Sequence, residues 1–251
     1  MTEAVLEIRG VSKSFGALTA CDDISLEVRR GEVHALIGPN GAGKTTLIGQ
    51  ITGELTPDRG AILFEGRDIT ALATAARARL GLARSFQITS IFRSFTAQGN
   101  VALAVQATQP NSFHFWHAAQ RLARLQGPAR RRLGELGLGA RAGTIAAGMA
   151  HGEHRQLELA MALATEPTLL LLDEPMAGLG SEESQAMLAL LAELKGRYSI
   201  LLIEHDMDVV FQLADRVSVL VQGRVIASGT AETIRNDPRV REAYLGEDED
   251  A

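Results

Sequence analysis

The chain is poor in cysteine and has no excess of positive charge. Its only cysteine among 251 residues is Cys21, so no disulfide can form within the chain, which favours a reducing compartment. No histidine lies near Cys21 in the sequence, so we interpret this residue as a packing residue. The formal net charge of −5 argues against a protein that binds nucleic acid by neutralising phosphates.

Long apolar runs are also missing. A transmembrane helix needs about 20 mostly apolar residues, whereas the densest apolar runs here, 169–172 and 200–203, have the length of strands. The first residues, MTEAV, lack the basic start and apolar stretch of a signal peptide. We therefore expect that a role at a membrane would require docking from the cytoplasm.

Strand-like and helix-like patterns alternate along much of the chain. This alternation predicts a mostly parallel sheet with helices on both faces. Strands are expected at residues 5–9, 24–28, 33–37, 61–64, 168–172, 199–203 and 217–221. Helices are expected from residue 47 to 53, at 101–107, 118–136, 152–164 and 207–214, and from a capping Ser181 to residue 194.

The composition changes between about residues 89 and 148. This stretch is rich in Ala, Arg, Leu and Gln and poor in β-branched runs, which predicts a helical subdomain inserted into an α/β core. The acidic end at residues 247–250 predicts a disordered tail.

A glycine-rich segment follows the apolar residues 33–37 and fits the pattern G-x-x-x-x-G-K-[ST] at every position. Glycines let the backbone wrap around phosphates, and a helix N-terminus supplies positive potential. Lys44 is expected to reach the β- and γ-phosphates, and the Thr45 hydroxyl to bind Mg²⁺. The alternative, an ordinary strand-to-helix turn, has far less weight here. The predicted nucleotide-binding residues are Gly38, Pro39, Asn40, Gly41, Ala42, Gly43, Lys44, Thr45 and Thr46.

Two acids end the apolar run at 169–172. A buried strand would bring Asp173 and Glu174 to the carboxyl edge of the sheet, where such folds bind ligands. Asp173 is expected to hold Mg²⁺, and Glu174 to act as the general base on the attacking water. A solvated acidic turn is the alternative, but its weight falls beside the phosphate loop.

Together these motifs identify a P-loop NTPase, and nearly the whole chain resembles the ABC ATPases. Gln87, in Arg-Ser-Phe-Gln, matches the family's Q-loop glutamine, which contacts Mg²⁺ and water. His205, in Ile-Glu-His-Asp, matches the switch histidine that contacts the γ-phosphate. Phe15 matches the aromatic residue that stacks on adenine.

The family signature, usually L-S-G-G-Q, falls at Met149, Ala150, His151, Gly152 and Glu153, and here the chain departs from the pattern. Ala150 lacks the serine hydroxyl that would meet the partner's γ-phosphate, and His151 replaces a glycine. In the D-loop, Gly180 stands where an acid or amide is common. The resemblance implies that each site uses one chain's P-loop and the other chain's signature. We therefore hypothesise a heterodimer with two unequal sites.

The C-terminal segment, with GTAETIRNDP at residues 229–238 and AYLGE at 243–247, is similar to ATPase subunits of branched-chain (hydrophobic) amino acid importers. The resemblance implies an α/β fold: a RecA-like P-loop NTPase core with an antiparallel β subdomain and an inserted α-helical subdomain. The implied division is 1–88 and 159–230 for the core, 89–158 for the helical subdomain with the signature, and 231–251 for a C-terminal tail.

The implied ligands are ATP and Mg²⁺. The implied partners are a second ABC ATPase subunit, transmembrane permease subunits and, indirectly, a periplasmic solute-binding protein, at the cytoplasmic face of the inner membrane. Three alternatives stay open: the ATPase of a lipopolysaccharide exporter, a soluble ABC ATPase of translation or DNA repair, and a degenerate regulatory subunit. No acid or cysteine stands at metal-ligand spacing from His114 and His117, so a zinc site is not expected there.

Overall fold

The computed structural model describes residues 3–85, 91–108 and 118–245. Two sheets and nine α-helices are found within these ranges. The strands are β1 (Ala4–Phe15), β2 (Leu18–Arg29), β3 (Val33–Ile37), β4 (Arg59–Phe64), β5 (Arg67–Asp68), β6 (Leu82–Ser85), β7 (Leu169–Asp173), β8 (Ser199–Ile203), β9 (Arg216–Val221) and β10 (Arg224–Gly229). The helices are α1 (Lys44–Thr52), α2 (Thr74–Arg79), α3 (Ala97–Ala107), α4 (Ala118–Glu135), α5 (His151–Leu163), α6 (Ser181–Leu194), α7 (Met207–Leu213), α8 (Ala231–Asn236) and α9 (Pro238–Leu245).

The larger sheet has six strands in the order β10-β9-β3-β8-β7-β6. All neighbours are parallel except β10, which pairs antiparallel with β9 at one edge. Every residue of β3, β7 and β8 is buried. Strands buried on both faces need continuous apolar runs, and this explains why these segments are apolar without alternation.

The smaller sheet has the order β2-β1-β4-β5 and is antiparallel. Its inward residues, among them Leu6, Ile8 and Ile24, pack with Leu47 and Ile51 of α1 in one cluster. The first helix is therefore held between the two sheets.

The helices α3, α4 and α5 pack on one another through apolar residues such as Val101, Leu133 and Leu157. The C-terminal helices α8 and α9 pack on the six-stranded sheet, since Ile234 and Val240 are buried against Val217 and Val219 of β9. No helix among the described residues combines the length and apolarity that crossing a bilayer requires.

The expected strands and helices are present, with shifted ends. The first two strands are longer than predicted because they form a hairpin joined at Gly16 and Ala17. The helix expected from residue 47 begins at Lys44. The prediction that Ser181 caps α6 is wrong: Gly180 is the N-cap, and the Glu183 carboxylate accepts its N–H at 3.2 Å. The sequence reading did not predict β5, β6, β10, α2, α8 or α9, and the predicted tail at 247–250 lies outside the described residues.

Candidate nucleotide site

Three neighbouring parallel strands end side by side at one edge of the six-stranded sheet. Leu36 of β3 pairs with Ile203 of β8, and Ile203 also pairs with Asp173 of β7. The glycine-rich loop, the acidic pair and the histidine segment follow these strands, so all three leave the sheet at the same edge. Open α/β sheets bind ligands at this edge.

Close backbone packing fixes the glycine-rich loop on two sides. A Cβ on Gly38 would lie 2.1 Å from the Leu220 carbonyl oxygen, and one on Gly43 would lie 2.2 Å from the Ala20 carbonyl oxygen. Gly43 also has a φ of 105°, in the region that favours glycine. Neither position has room for a side chain, and the loop backbone packs directly against β9 and β2.

The loop and the start of α1 present donors suited to phosphate. Gly43 is the N-cap of α1 and no side chain caps this terminus, so the first turn offers N–H groups to an anion. The Lys44 ammonium donates to the carbonyl oxygens of Gly38 and Pro39, the latter at 2.9 Å, which keeps it at the loop. Thr45 is exposed directly after it, and Thr46 is half-buried. The donor set fits a bound polyphosphate.

Asp173 ends β7 and is buried. Its Oδ2 accepts a hydrogen bond from Arg84 Nη2 at 3.0 Å, and Arg84 Nη1 also pairs with Glu54 at 2.7 Å. The carboxylate and the Thr45 hydroxyl are hard oxygen donors, which Mg²⁺ prefers. No cluster of three or more His, Cys, Asp or Glu side chains with metal-site geometry occurs among the described residues. The chemistry of the Asp173 carboxylate and the Thr45 hydroxyl fits a Mg²⁺ ion that completes its shell with phosphate and water.

Sequence reasoning assigned no role to Arg84, although it precedes the Ser-Phe-Gln segment. Its partners lie 30 and 89 residues away in the chain, so no local pattern indicates the pairing. Gln87, the predicted Q-loop residue, lies outside the described residues.

Glu174 and His205 belong to neighbouring segments at this edge. Glu174 has a φ of 50°, an uncommon conformation for a residue with a Cβ. Its N–H donates to the Ile203 carbonyl oxygen at 2.9 Å, which ties it to the end of β8. The His205 side chain, two residues beyond Ile203, is 66% exposed. Both side chains are accessible to a ligand at this edge.

The residue between Ile203 and His205, Glu204, is completely buried. Its Oε1 accepts from the Met176 N–H at 3.1 Å, and its Oε2 accepts from the His205 N–H at 3.2 Å. Burial raises the pKa of the Glu204 carboxyl above its ordinary value. Sequence reasoning missed this residue because it reads as part of a strand end.

Phe15, the predicted adenine contact, ends β1 and is 48% exposed. The Lys13 ammonium lies 5.7 Å from the centre of its ring. The adjoining strand β2 contacts the phosphate loop through Ala20, so the hairpin end lies beside that loop. An accessible aromatic face at this place suits stacking on a nucleobase.

The signature segment forms the N-terminus of α5. Ala150 is the N-cap but has no side-chain oxygen, and its N–H donates to Glu153 Oε2 at 2.8 Å. Only the backward half of a capping box is present. Arg141, which pairs with Glu153 at 2.7 Å, lowers the pKa of this carboxyl. Met149 is buried and holds the segment to the helical core.

Within one chain, the signature contacts the segment that follows Glu174. The Gly152 N–H donates to Glu183 Oε1 at 3.2 Å. The imidazole of His151 lies against Gly178, where a Cβ would be 3.0 Å from Nε2. The neighbouring His154 has a ring nitrogen 2.6 Å from the Ala146 carbonyl oxygen. The start of α5 is therefore joined to the D-loop and to α6.

Comparisons with known proteins agree with this geometry. Residues 21–177 match the family model described as ABC transporter, and residues 224–250 match one described as branched-chain amino acid ATP-binding cassette transporter. The chain is 40% identical to the high-affinity branched-chain amino acid transport ATP-binding protein LivG of Salmonella typhimurium, over 98% of this chain and all of that protein.

Two further relatives extend the comparison. The lipopolysaccharide export system ATP-binding protein LptB of Acidithiobacillus ferridurans is 37% identical over 97% of each chain. The crystal structure of an ATP-binding cassette of an ABC transporter in its ADP conformation superposes with a TM-score of 0.86, at 31% identity over 98% of this chain and all of that one. The family match covers most of the chain, and the likeness to these cassettes covers nearly all of it, so this protein belongs to the ABC transporter family and is one of its ATP-binding, ATP-hydrolysing cassettes.

Proposed function

We propose that this cassette hydrolyses ATP with Lys44, Glu174 and His205, and that it energises an importer of branched-chain or related amino acids. The observation that supports the site is the shared register of β3, β8 and β7, which brings the three side-chain segments to one sheet edge. In this proposal the phosphate loop, the base and the histidine all act on one terminal phosphate.

Each side chain has a distinct task in this proposal. Lys44 and the N–H groups at the start of α1 bind the β- and γ-phosphates, and Phe15 stacks on the adenine. Glu174 accepts a proton from the attacking water. The water oxygen bonds to the γ-phosphorus, and the bond between that phosphorus and the ADP oxygen breaks. His205 donates to the γ-phosphate and stabilises the charge that moves onto the leaving ADP and phosphate.

The metal requirement follows from the same residues. Thr45 and Asp173, with Gln87, would hold Mg²⁺, and the ion would neutralise charge on the β- and γ-phosphates. Because Arg84 pairs with Asp173, the guanidinium restricts the orientation of this carboxylate. Glu54, two residues beyond the end of α1, binds the other side of the same guanidinium.

A second ATPase subunit completes the site in this proposal. The signature residues Met149, Ala150, His151, Gly152 and Glu153 would face the γ-phosphate bound by the partner. The positive end of the α5 dipole supports this role, although the Gly152 N–H binds Glu183 within this chain. The missing hydroxyl at Ala150 favours a heterodimer, in which a different chain supplies the signature for the Glu174 site.

The helical subdomain, assigned to residues 89–158, offers a surface to the permease. Phe92 and Phe95 are 53% and 44% exposed, and their ring centres lie 5.5 Å apart. Ile145 is 47% exposed and pairs with Thr96, next to Phe95. An exposed apolar cluster of this kind is typical of a protein contact. We assign it to a cytoplasmic segment of the permease.

The C-terminal match favours one of the two transport alternatives. Overall identity separates them little, since the amino acid and lipopolysaccharide relatives share 40% and 37% of residues with this chain. The match of residues 224–250 to the branched-chain amino acid model covers β10, α8 and α9, and it favours the importer. A lipopolysaccharide exporter is the second candidate.

The catalytic assignment is tested by substituting Glu174→Gln and measuring steady-state ATP hydrolysis with Mg²⁺. We expect a loss of at least a hundredfold in kcat, since general bases contribute about 10²–10⁴-fold. Nucleotide binding should be retained. Glu182→Gln, an exposed acid on α6, is the matched control and should keep the wild-type rate. An active Glu174→Gln protein would contradict the proposed base.

The transported solute is tested in proteoliposomes that contain this chain with the permease and binding protein encoded beside it. Uptake of radiolabelled leucine that requires ATP in contact with the cassette would support the importer. Failure to move leucine, isoleucine or valine, combined with lipid extraction from the membrane, would replace the importer by the exporter.

A further inference from the structure

The buried carboxylate of Glu204 connects two segments that the proposed mechanism uses separately. One oxygen binds the Met176 N–H, two residues after Glu174. The other oxygen binds the N–H of His205. Since the side chain is 0% exposed, water does not compete for either bond.

The turn that carries Glu174 has two attachments to the end of β8. The Glu174 N–H donates to the Ile203 carbonyl oxygen at 2.9 Å, and the Met176 N–H donates to Glu204 at 3.1 Å. Between these two bonds the chain takes the left-handed conformation of Glu174. Strained conformations persist where the surrounding contacts determine them, and Glu204 supplies one of these contacts.

Burial of a carboxylate costs free energy on folding. Desolvation disfavours the charged form, and the nearest ionisable partner is the exposed His205 ring, whose Nδ1 lies 3.9 Å from Oε2. An apolar residue would continue the buried strand at lower cost, but it would leave two backbone N–H groups without their acceptor. The retained carboxylate therefore indicates a requirement for both bonds.

We propose that Glu204 is a positioning residue that fixes the turn bearing Glu174 relative to the segment bearing His205. This inference rests on the proposed roles of Glu174 and His205 in hydrolysis. A displacement of either segment must move or break a bond to the same carboxylate. General base and phosphate contact are thus held in one arrangement.

Glutamine cannot replace this carboxylate, although it has the same shape. Its amide has one acceptor oxygen, and the NH₂ group would face a backbone N–H, so one of the two bonds is lost. For Glu204→Gln we expect kcat for ATP hydrolysis to fall about tenfold or more, with KM for ATP within about twofold of wild type. Glu193→Gln, an exposed acid on α6, should match wild type.

A double-mutant comparison separates positioning from a general loss of folding. Single-turnover hydrolysis of γ-labelled ATP is measured for Glu204→Gln, His205→Ala and the combined variant, each assembled with the permease and corrected for bound nucleotide. Coupled groups are non-additive. We expect Glu204→Gln to reduce the rate by a clearly smaller factor when His205 is already alanine.

Two results would overturn the proposal. One is a Glu204→Gln rate within twofold of wild type, and the other is a rate reduced by the same factor with His205 and with His205→Ala. Thermal unfolding of each variant shows whether a lost rate reflects unfolded protein. If Glu174→Gln and His205→Ala themselves leave hydrolysis intact, the proposed site fails. If instead Glu174→Gln and His205→Ala are inactive while Glu204→Gln is fully active, the proposed site stands and only the positioning role of Glu204 fails.

Discussion

At the sheet edge that bears the candidate nucleotide site, buried or nearly buried charged side chains connect separate segments of the chain. Glu204 joins segments 28 residues apart in the chain, and Arg84 joins Asp173 to Glu54. Glu204 binds the segments that carry Glu174 and His205, and Arg84 binds the carboxylate of Asp173. A hydrogen bond to a charged group is stronger than a neutral one, so such residues can fix an arrangement that loops alone would not hold.

The burial of Glu204 has a consequence for stability. A carboxyl whose pKa is raised in the folded state contributes its full stabilisation only below the unfolded pKa, and that contribution is lost as pH rises through the folded pKa. We therefore expect the unfolding free energy of wild type, relative to Glu204→Gln, to fall as pH rises above the ordinary glutamate range. Denaturant unfolding at a series of pH values measures this difference.

The His205 ring and the Asp206 N–H also face this carboxylate. The comparison is therefore repeated with His205→Gln in both proteins, which removes the imidazole. A wild-type stability that rises with pH relative to Glu204→Gln would show that the carboxyl is stabilised as the anion, against the effect of burial.

At this scale the sequence indicates the residues that belong to local motifs and misses those that act across the fold. Lys44 and Asp173 stand in patterns of a few residues, each with a strand before it. Glu204 and Arg84 have partners far away in the chain, and a lone charged residue in a sequence carries no mark of burial. Their roles depend on tertiary contacts that periodicity does not encode.

Among the elements, α1 has its C-terminus closed by a side chain from α2. The Arg77 guanidinium is buried and donates to the carbonyl oxygens of Gln50 at 2.6 Å and Ile51 at 2.7 Å. These are among the last carbonyls of α1, which have no partner within the helix. Further bonds reach the carbonyls of Leu72 and Thr70. The helix that begins at the phosphate loop is therefore anchored at its far end.

Substitution of Arg77→Ala should destabilise the protein by about 2–5 kcal/mol, because several buried carbonyl groups lose their donor at once. Arg77→Lys should recover only part of this, since an ammonium lacks the planar fork of donors. Thermal and denaturant unfolding measure both changes. Arg79→Ala, in the same helix but exposed, is the control, and an equal loss from it would refute the capping role.

Element types were predictable where the hydrophobic period was long or the run was buried. The apolar strands β3, β7 and β8 match the prediction closely because both faces of the sheet are covered. Helix starts were less predictable: α6 begins with a glycine N-cap and uses Glu183, three residues on, as the acceptor. The short edge strands and terminal helices depend on packing against the rest of the molecule.

For the whole molecule, the two halves of the nucleotide machinery in this chain are unequal. In the proposed site, Lys44, Asp173, Glu174 and His205 all have side chains suited to the roles assigned to them. The signature instead begins with Ala150, whose methyl group offers no donor to a γ-phosphate. In the proposed heterodimer, the site that uses this signature is the weaker one, and the site that contains Glu174 carries most of the turnover.

The asymmetry predicts that restoring the hydroxyl raises activity only in the assembled pair. Ala150 has the extended backbone of an N-cap, so a serine there should gain about 1 kcal/mol of helix stability. Its hydroxyl would also donate to the partner's γ-phosphate, for which we expect a rise of several-fold up to about tenfold in the rate of hydrolysis at the partner's site. Steady-state hydrolysis by the reconstituted complex, with Glu174→Gln in this chain, measures the rate of that site.

Ala147→Ser, an exposed change in the turn before α5, serves as the control and should leave the rate unchanged. The Glu174→Gln background then separates the two sites. If the gain arises at the partner's site, it persists when this chain's own base is removed. A gain that disappears in the Glu174→Gln background would show that it does not arise at the partner's site. A homodimer of this chain that hydrolyses ATP as fast as the full complex would show that Ala150 does not limit turnover.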